Sequence, residues 1–286
     1  MPSADLRPAV LGWYRGRRRA YAWRRGRRIP YRVLVSEVML QQTQAARVEP
    51  VYEAFIERFP DVGALARASR ADVLRAWDCL GYNRRAVALH DAARAIVRDH
   101  GGRVPRDAEL LRRLPGIGPY TAAAVASIGW GRPVAAVDTN VRRICARVFH
   151  AAEPDEVPAS KLAADAQAWL DPAAAREWNQ ALMDIGRLCC RPTPRCSDCP
   201  LAAGCRFRAA GRTGRPSGRR QPSYEGSGRQ VRGAVVRALR GRPSGDADVL
   251  AAVTGHARDR IEAAADDLVR EGILERTSAG RLRLSG

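Results

Sequence analysis

The sequence predicts an all-α fold from residue 31 to residue 205, then a linker and a small helical module, and three observations lead there. Apolar residues recur at three- and four-residue spacing through VEPVYEAFIERF, through Val87–Val97 and through TAAAVASIGW, as the buried stripe of a helix requires. No stretch of this region alternates apolar and polar residues as a half-buried strand would. Around 209–228 the run AAGRTGRPSGRRQPSYEGSG has no apolar period and is dense in Gly, Pro, Ser and Arg, so the chain is expected to divide there. The expected domains are 1–208 and 229–286, joined by 209–228. In the second, helical segments near 229–240, 246–253 and 257–271 precede two short extended runs around a Ser-Ala-Gly turn, the pattern of a small winged-helix-like module.

Composition narrows the function classes. A chain of 286 residues that is 46% hydrophobic can bury a substantial core. Its formal net charge of +19 points to a polyanionic partner such as nucleic acid. All the basic residues but Lys161 are arginine. No apolar run approaches the roughly 20 residues that cross a bilayer, and the N-terminus lacks the apolar core of a secretion signal, so a cytoplasmic protein without membrane partners is expected. Five of the seven cysteines crowd between 189 and 205, which in a reducing compartment argues for a metal centre over disulfides. The other two, Cys79 and Cys145, are expected to be small core residues.

Four local patterns carry chemistry. In LPGIGPYTAAAVASI, Gly116 and Gly118 make a tight turn between two helices, where backbone can approach a ligand closely and freed amides can hold a phosphate oxygen. This is a helix-hairpin-helix pattern, a clamp on the DNA backbone that ignores sequence. Cys189 or Cys190 with Cys196, Cys199 and Cys205 can surround a [4Fe–4S] cluster or Zn²⁺. On the helix PYRVLVSEVMLQQTQ, Glu37 lies in a row with Val33, Leu34, Leu40 and Gln41, so its carboxyl should hold a proton near neutrality, as a general acid must. In VDTNVRRICARVF, Asp138 precedes an amphipathic helix that it is placed to cap.

The hairpin, the following Asp and the spacing C-x6-C-x2-C-x5-C together resemble the endonuclease III and MutY branch of the DNA glycosylases, over roughly residues 10–208. Pro30–Gln44 resembles the MutY adenine glycosylases very closely. The resemblance implies a [4Fe–4S] cluster. The six-residue first interval selects Cys189, whereas the register of the NQALMDIG helix selects Cys190; a deletion is easier in a loop than in a packed helix, so Cys190, Cys196, Cys199 and Cys205 are the expected ligands. It also implies that Glu37 protonates the departing base, that Asp138 stabilises the cationic sugar, and that Tyr120 and Asn140 orient acid, sugar and water. Gln41, Gln42 and Thr43 of the QQT string, with Tyr82 of CLGYNRRA, match residues that wedge into the duplex and read the opposite base. Trp23, Arg24 and Gln180 are candidates for the adenine pocket.

Tyr120 stands where endonuclease III carries its strand-cleaving lysine, and Lys161 lies in an unrelated helix. Monofunctional hydrolysis of adenine paired with guanine or 8-oxoguanine follows, on double-stranded DNA, by a nucleoid-associated monomer. The alternatives are a thymine or uracil glycosylase acting opposite guanine, and a non-catalytic iron–sulfur DNA-binding regulator. Two departures stand out. Asn83 replaces the second tyrosine of the usual GYYAR-type string, and residues 229–286 replace the large C-terminal domain that recognises 8-oxoguanine in long relatives. Arg229, Arg232, Arg237, Arg240 and Arg242 of this tail are expected to meet phosphates.

Overall fold

The computed structural model describes residues 5–26, 29–215 and 222–286. Among the described residues, the helices are α1 (Arg7–Arg17), α2 (Pro30–Leu40), α3 (Ala45–Arg58), α4 (Val62–Arg67), α5 (Arg70–Ala76), α6 (Arg84–His100), α7 (Ala108–Arg112), α8 (Pro119–Ala124), α9 (Thr139–His150), α10 (Ala159–Trp169), α11 (Ala175–Leu188), α12 (Arg206–Ala209), α13 (Gly228–Arg240), α14 (Ala247–Thr254) and α15 (Arg258–Arg270). The strands β1 (Leu274–Arg276) and β2 (Leu282–Leu284) pair antiparallel, with Leu274 opposite Leu284. The helical fold and the closing hairpin are therefore those the sequence predicts. Helix starts follow local chemistry: the side chains of Asp61, Ser69, Asp107, Asp138, Ser227 and Asp246 each accept a hydrogen bond from a first-turn amide.

The helical reading runs too far at one place. After Leu188 the chain breaks into a loop with single turns at Cys196–Asp198 and Ala202–Gly204. Pro192, Pro194 and Pro200 remove amide donors and block a continuing helix there.

The chain forms two compact units, and their bounds do not follow the linker. One comprises Met1–Glu37, Pro105–Arg113 and Ile117–Arg220; the other comprises Val38–Val104, Leu114–Gly116 and Gln221–Gly286. The C-terminal helices thus share a unit with residues 38–104. A loss of periodicity marks where the chain leaves one element, but not what the next elements pack against. Residues 216–221 of the expected linker lie outside the described residues.

The first unit is built on α9 and α11, whose apolar faces (Val141, Ile144, Val148; Trp178, Leu182, Ile185) enter one core with α1 and α10. Phe149, Trp169 and Trp178 pack edge to face at 5.0 Å between successive ring centres. Gly186 lets the two helices approach, since a Cβ there would lie 2.4 Å from that of Asn140. Cys145 is buried in this core as expected.

In the second unit Phe55 meets Trp77 edge on, 6.1 Å between centres, and α6 packs along α4 and α5. The tail's core is Val231, Val235, Leu239, Leu250, Ile261, Leu268, Leu282 and Leu284. It is joined to the rest of the unit by Arg70, which donates to the carbonyl of Gly272 at 3.4 Å and pairs with Asp91 at 2.7 Å. Cys79, expected in a core, is exposed: it sits in the single turn Asp78–Leu80, which turns only Leu80 inward.

Candidate active site and DNA-reading turns

In the first unit, α2 carries Glu37 two turns in from Pro30. Pro30 lies against Gly129, where an added Cβ would come within 3.1 Å of its Cα. The Glu37 carboxyl is only 7% exposed, and burial raises its pKa from 4.5 to about 7. The Tyr120 hydroxyl, on α8, donates to Glu37 Oε2 at 2.9 Å and opposes that rise, as does the positive charge of Arg24. The nearby charge of Asp138 reinforces it. The outcome is a carboxyl that still holds its proton near neutral pH and is held by a phenol in one orientation.

Asp138 caps α9, and both of its oxygens are engaged. Oδ1 accepts from the Val141 amide at 2.7 Å, and Oδ2 accepts from Asn140 Nδ2 at 2.8 Å. Burial raises its pKa, while these two hydrogen bonds work in the other direction. Asn140 is in turn held by Arg143, whose Nη2 donates to Asn140 Oδ1 at 2.7 Å and to the Gly186 carbonyl at 2.9 Å.

The structure thus gathers Glu37, Tyr120, Asp138 and Asn140 in one unit. It gives all three pocket candidates internal partners. Arg24 forms a two-pronged pair with Asp184 at 2.6 and 3.1 Å, and Gln180 Oε1 accepts from the Tyr14 hydroxyl at 2.6 Å. Trp23 stacks on Tyr21 with ring centres 4.7 Å apart. Asp184, which the sequence reading missed, has a legible signal: it is the one acid within NQALMDIG, and it is buried in α11 among Leu182 and Ile185.

The cysteine loop is arranged around two arginines the sequence reading also missed. Arg147, 1% exposed, donates to the carbonyls of Arg191 and Pro192 at 2.6 and 2.8 Å, pairs with Glu153 at 2.8 Å and reaches Cys190 Sγ at 3.7 Å. Arg143 Nε donates to the Cys190 carbonyl at 2.6 Å. Burial raises the thiol pKa of Cys199 to about 12, and Cys190, Cys189 and Cys205 add to it as neighbours able to carry negative charge. Among the described residues, no three Cys, His, Asp or Glu side chains converge in a metal-site arrangement.

The residues expected to read the duplex, Gln41, Gln42, Thr43 and Tyr82, lie in the second unit. Gln42 and Tyr82 both adopt the left-handed conformation (φ 55° and 48°), which costs a non-glycine residue roughly 1–2 kcal/mol and is tolerated where surrounding contacts impose it. Arg85 imposes it here. Its guanidinium donates to the carbonyls of Met39, Gln41 and Gly81 and to Thr43 Oγ1, so it ties the turn after α2 to the turn before α6. Its charge centre also lies 5.3 Å from the Tyr82 ring centre. Burial lowers its pKa to about 10. Arg85→Ala would remove the one group that joins the two turns, although Gly81 keeps the Trp77 indole as a donor, and is expected to cost about 1–3 kcal/mol in urea unfolding.

Gly116, also in this unit, has φ 70°, and a Cβ would sit 2.5 Å from that of Ala88, so only glycine fits. Gly118 is the N-cap of α8 and has open space where a Cβ would be.

A buried glutamate with its pKa raised to about 7, held by Tyr120, thus stands in the same unit as a helix-capping aspartate. Residues 35–170 match the family described as HhH-GPD superfamily base excision DNA repair protein. Over 284 residues the chain is 43% identical to the adenine DNA glycosylase of Mycolicibacterium smegmatis, covering 97% of this chain and 95% of that one. It is 42% identical over 214 residues to the human adenine DNA glycosylase, 71% of this chain and 39% of that one. Among solved structures, a thermostable thymine-DNA glycosylase superposes with TM-score 0.66 at 29% identity, over 71% of this chain and 94% of that one. An endonuclease III–DNA complex shares the fold at TM-score 0.60 and 23% identity, over 72% and 95% of the two chains. The chain belongs to the adenine DNA glycosylase family.

Proposed function

We propose that the protein hydrolyses the N-glycosidic bond of adenine mispaired with guanine or 8-oxoguanine in double-stranded DNA and leaves an abasic site. The observation that carries the reading is Glu37, a buried carboxyl raised to about 7 and oriented by Tyr120. A departing adenine needs a proton, and a carboxyl poised near neutral pH can supply it. The Gly116–Gly118 hairpin holds the DNA backbone, and Gln41, Gln42, Thr43 and Tyr82 enter the stack while adenine is flipped, at a cost of a few kcal/mol. Arg24, with Trp23 and Gln180, shapes the base pocket, and Arg24 sets the field at Glu37. Asp138 faces the developing sugar cation; with Asn140 it orients sugar and water.

The thiols fit a metal centre in their chemistry: Cys190, Cys196, Cys199 and Cys205 would hold a [4Fe–4S] cluster that orders the loop beside Arg143 and Arg147. Cys190 is favoured over Cys189 because it faces Arg147 and Cys205, whereas the Cys189 thiol donates to the Asp198 carbonyl within the loop. Anaerobically purified protein is expected to hold about four irons per chain and to absorb as thiolate-bound iron does. Cys190→Ser should lose the iron and Cys189→Ser should keep it, as measured by metal analysis; the reverse pattern assigns Cys189.

The sole lysine, Lys161, pairs with Asp165 along α10, so the chemistry is hydrolysis without a Schiff base. The test incubates the protein with duplexes holding A opposite G, A opposite 8-oxoguanine, T opposite G and U opposite G, with and without alkali. Adenine release with strand breaks only after alkali is the expected result. Release of thymine or uracil, or of no base, defeats the reading. Protein localisation to the nucleoid and a monomeric state accompany the proposal.

A further inference from the structure

The tail was expected to present its arginines to phosphates, and the structure uses several of them otherwise. Arg232 pairs with Glu271 and lies 3.7 Å from Asp267, and Arg229 donates to the Pro222 carbonyl at 2.6 Å. Arg240, at the end of α13, turns inward: its Nε donates to the Leu74 carbonyl of α5 at 3.1 Å, and its Nη2 donates to Asn83 Oδ1 at 3.2 Å. Asn83 follows Tyr82 directly and is the N-cap of α6, a position where an Asn oxygen normally accepts from a first-turn amide. Here it makes no such bond; its oxygen goes to Arg240.

We propose that Arg240 is a positioning residue for base discrimination: through Asn83 it fixes the Tyr82 turn in the arrangement that reads the base opposite the target. The inference rests on the adenine reading above, and three observations support it. Tyr82 is 44% exposed and left-handed, and Arg85 braces it from the Gly81 side, so a second brace at Asn83 acts on a turn held by its surroundings. A guanidinium fork fixes two acceptors at once, so it ties the turn to α5, which a single-point donor would not do. And residues of α13 line one cleft of about 880 Å³ together with Gln42, Tyr82 and Asn83, so the tail borders the reading residues themselves. Burial pushes the Arg240 pKa below its usual value, as expected of a guanidinium turned into the fold. The tail therefore contributes to selectivity from behind the turn, and Asn83, the departure from the GYYAR-type string, is its point of attachment.

The experiment compares full-length wild type, Arg240→Ala, Asn83→Ala and the double variant. The readout is the ratio of single-turnover excision rates on A opposite G and A opposite T. Each single variant should lower that ratio about tenfold, and the double variant should lower it no further, because both remove one linkage. Arg232→Ala, which cuts the pair to Glu271 in the same module, is the control: it should lower the melting temperature and keep the ratio. An unchanged ratio in Arg240→Ala, additive losses in the double variant, or an equal loss in Arg232→Ala overturns the proposal. Should Arg240→Ala not fold, Arg240→Lys keeps the charge but not the fork and is held to the same ratio. Wild type that releases no adenine from any duplex defeats the adenine reading instead, whereas normal release with unaltered ratios in the variants defeats only the role of Arg240.

Discussion

Glu37→Gln is expected to lower adenine release by about 10²- to 10⁴-fold while duplex binding stays within a few fold of wild type, because the amide keeps the shape and cannot donate an acidic proton. The Tyr120 hydroxyl can still donate to the amide oxygen, so the pocket should keep its geometry. The same substitution has a signed effect on stability. The Glu37 pKa is raised in the folded protein, from 4.5 to about 7, so its stabilising contribution is present in full below about 4.5 and is lost as pH rises through 7. Above pH 7 the wild type buries a charge and the glutamine variant does not. Glu37→Gln should therefore melt higher than wild type at pH 8, and the difference should vanish by pH 4. In wild type the single-turnover rate should fall as pH rises past about 7. A variant with residual activity within tenfold of wild type removes Glu37 as the acid.

Asp138→Asn separates catalysis from capping. The amide oxygen can still accept from the Val141 amide, so α9 keeps its cap, but the new amide nitrogen cannot accept from Asn140 Nδ2, and a loss of about 1–3 kcal/mol is expected. The negative charge is gone, and with it the stabilisation of a sugar cation in a site poor in water, where losing one such interaction costs about 10²- to 10³-fold. Wild-type single-turnover rates in this variant would reduce Asp138 to a helix cap. Asp138→Ala should lose both functions and melt lower.

The contrast between these residues shows how a sequence carries a site. Glu37 is legible because burial follows from helical periodicity: an acid flanked at three and four residues by Val33, Leu34 and Leu40 has to go where they go. Asp138 and the six-residue interval between Cys189 and Cys196 are likewise local patterns. Arg143 and Arg147 were not read, because what singles them out, the Gly186 and Cys190 carbonyls for Arg143 and Glu153 with the Arg191 and Pro192 carbonyls for Arg147, lies on other elements or depends on a loop's path. Nothing in an arginine-rich chain distinguishes a buried arginine from the solvated ones.

The sequence by itself determined the helical class, the winged-helix-like ending, the hairpin glycine at 116 and the pair of carboxyls, since each depends on neighbours within a few residues along the chain. Only the tertiary structure decided that residues 229–286 pack with 38–104, that Arg85 locks two left-handed turns, that Arg240 is spent on Asn83 and that Cys79 faces outward. The physical reason is one of range. Periodicity and capping are short-range and leave their mark in adjacent letters, whereas a guanidinium reaches its acceptors across 157 positions of sequence, and only the folded chain brings those ends together.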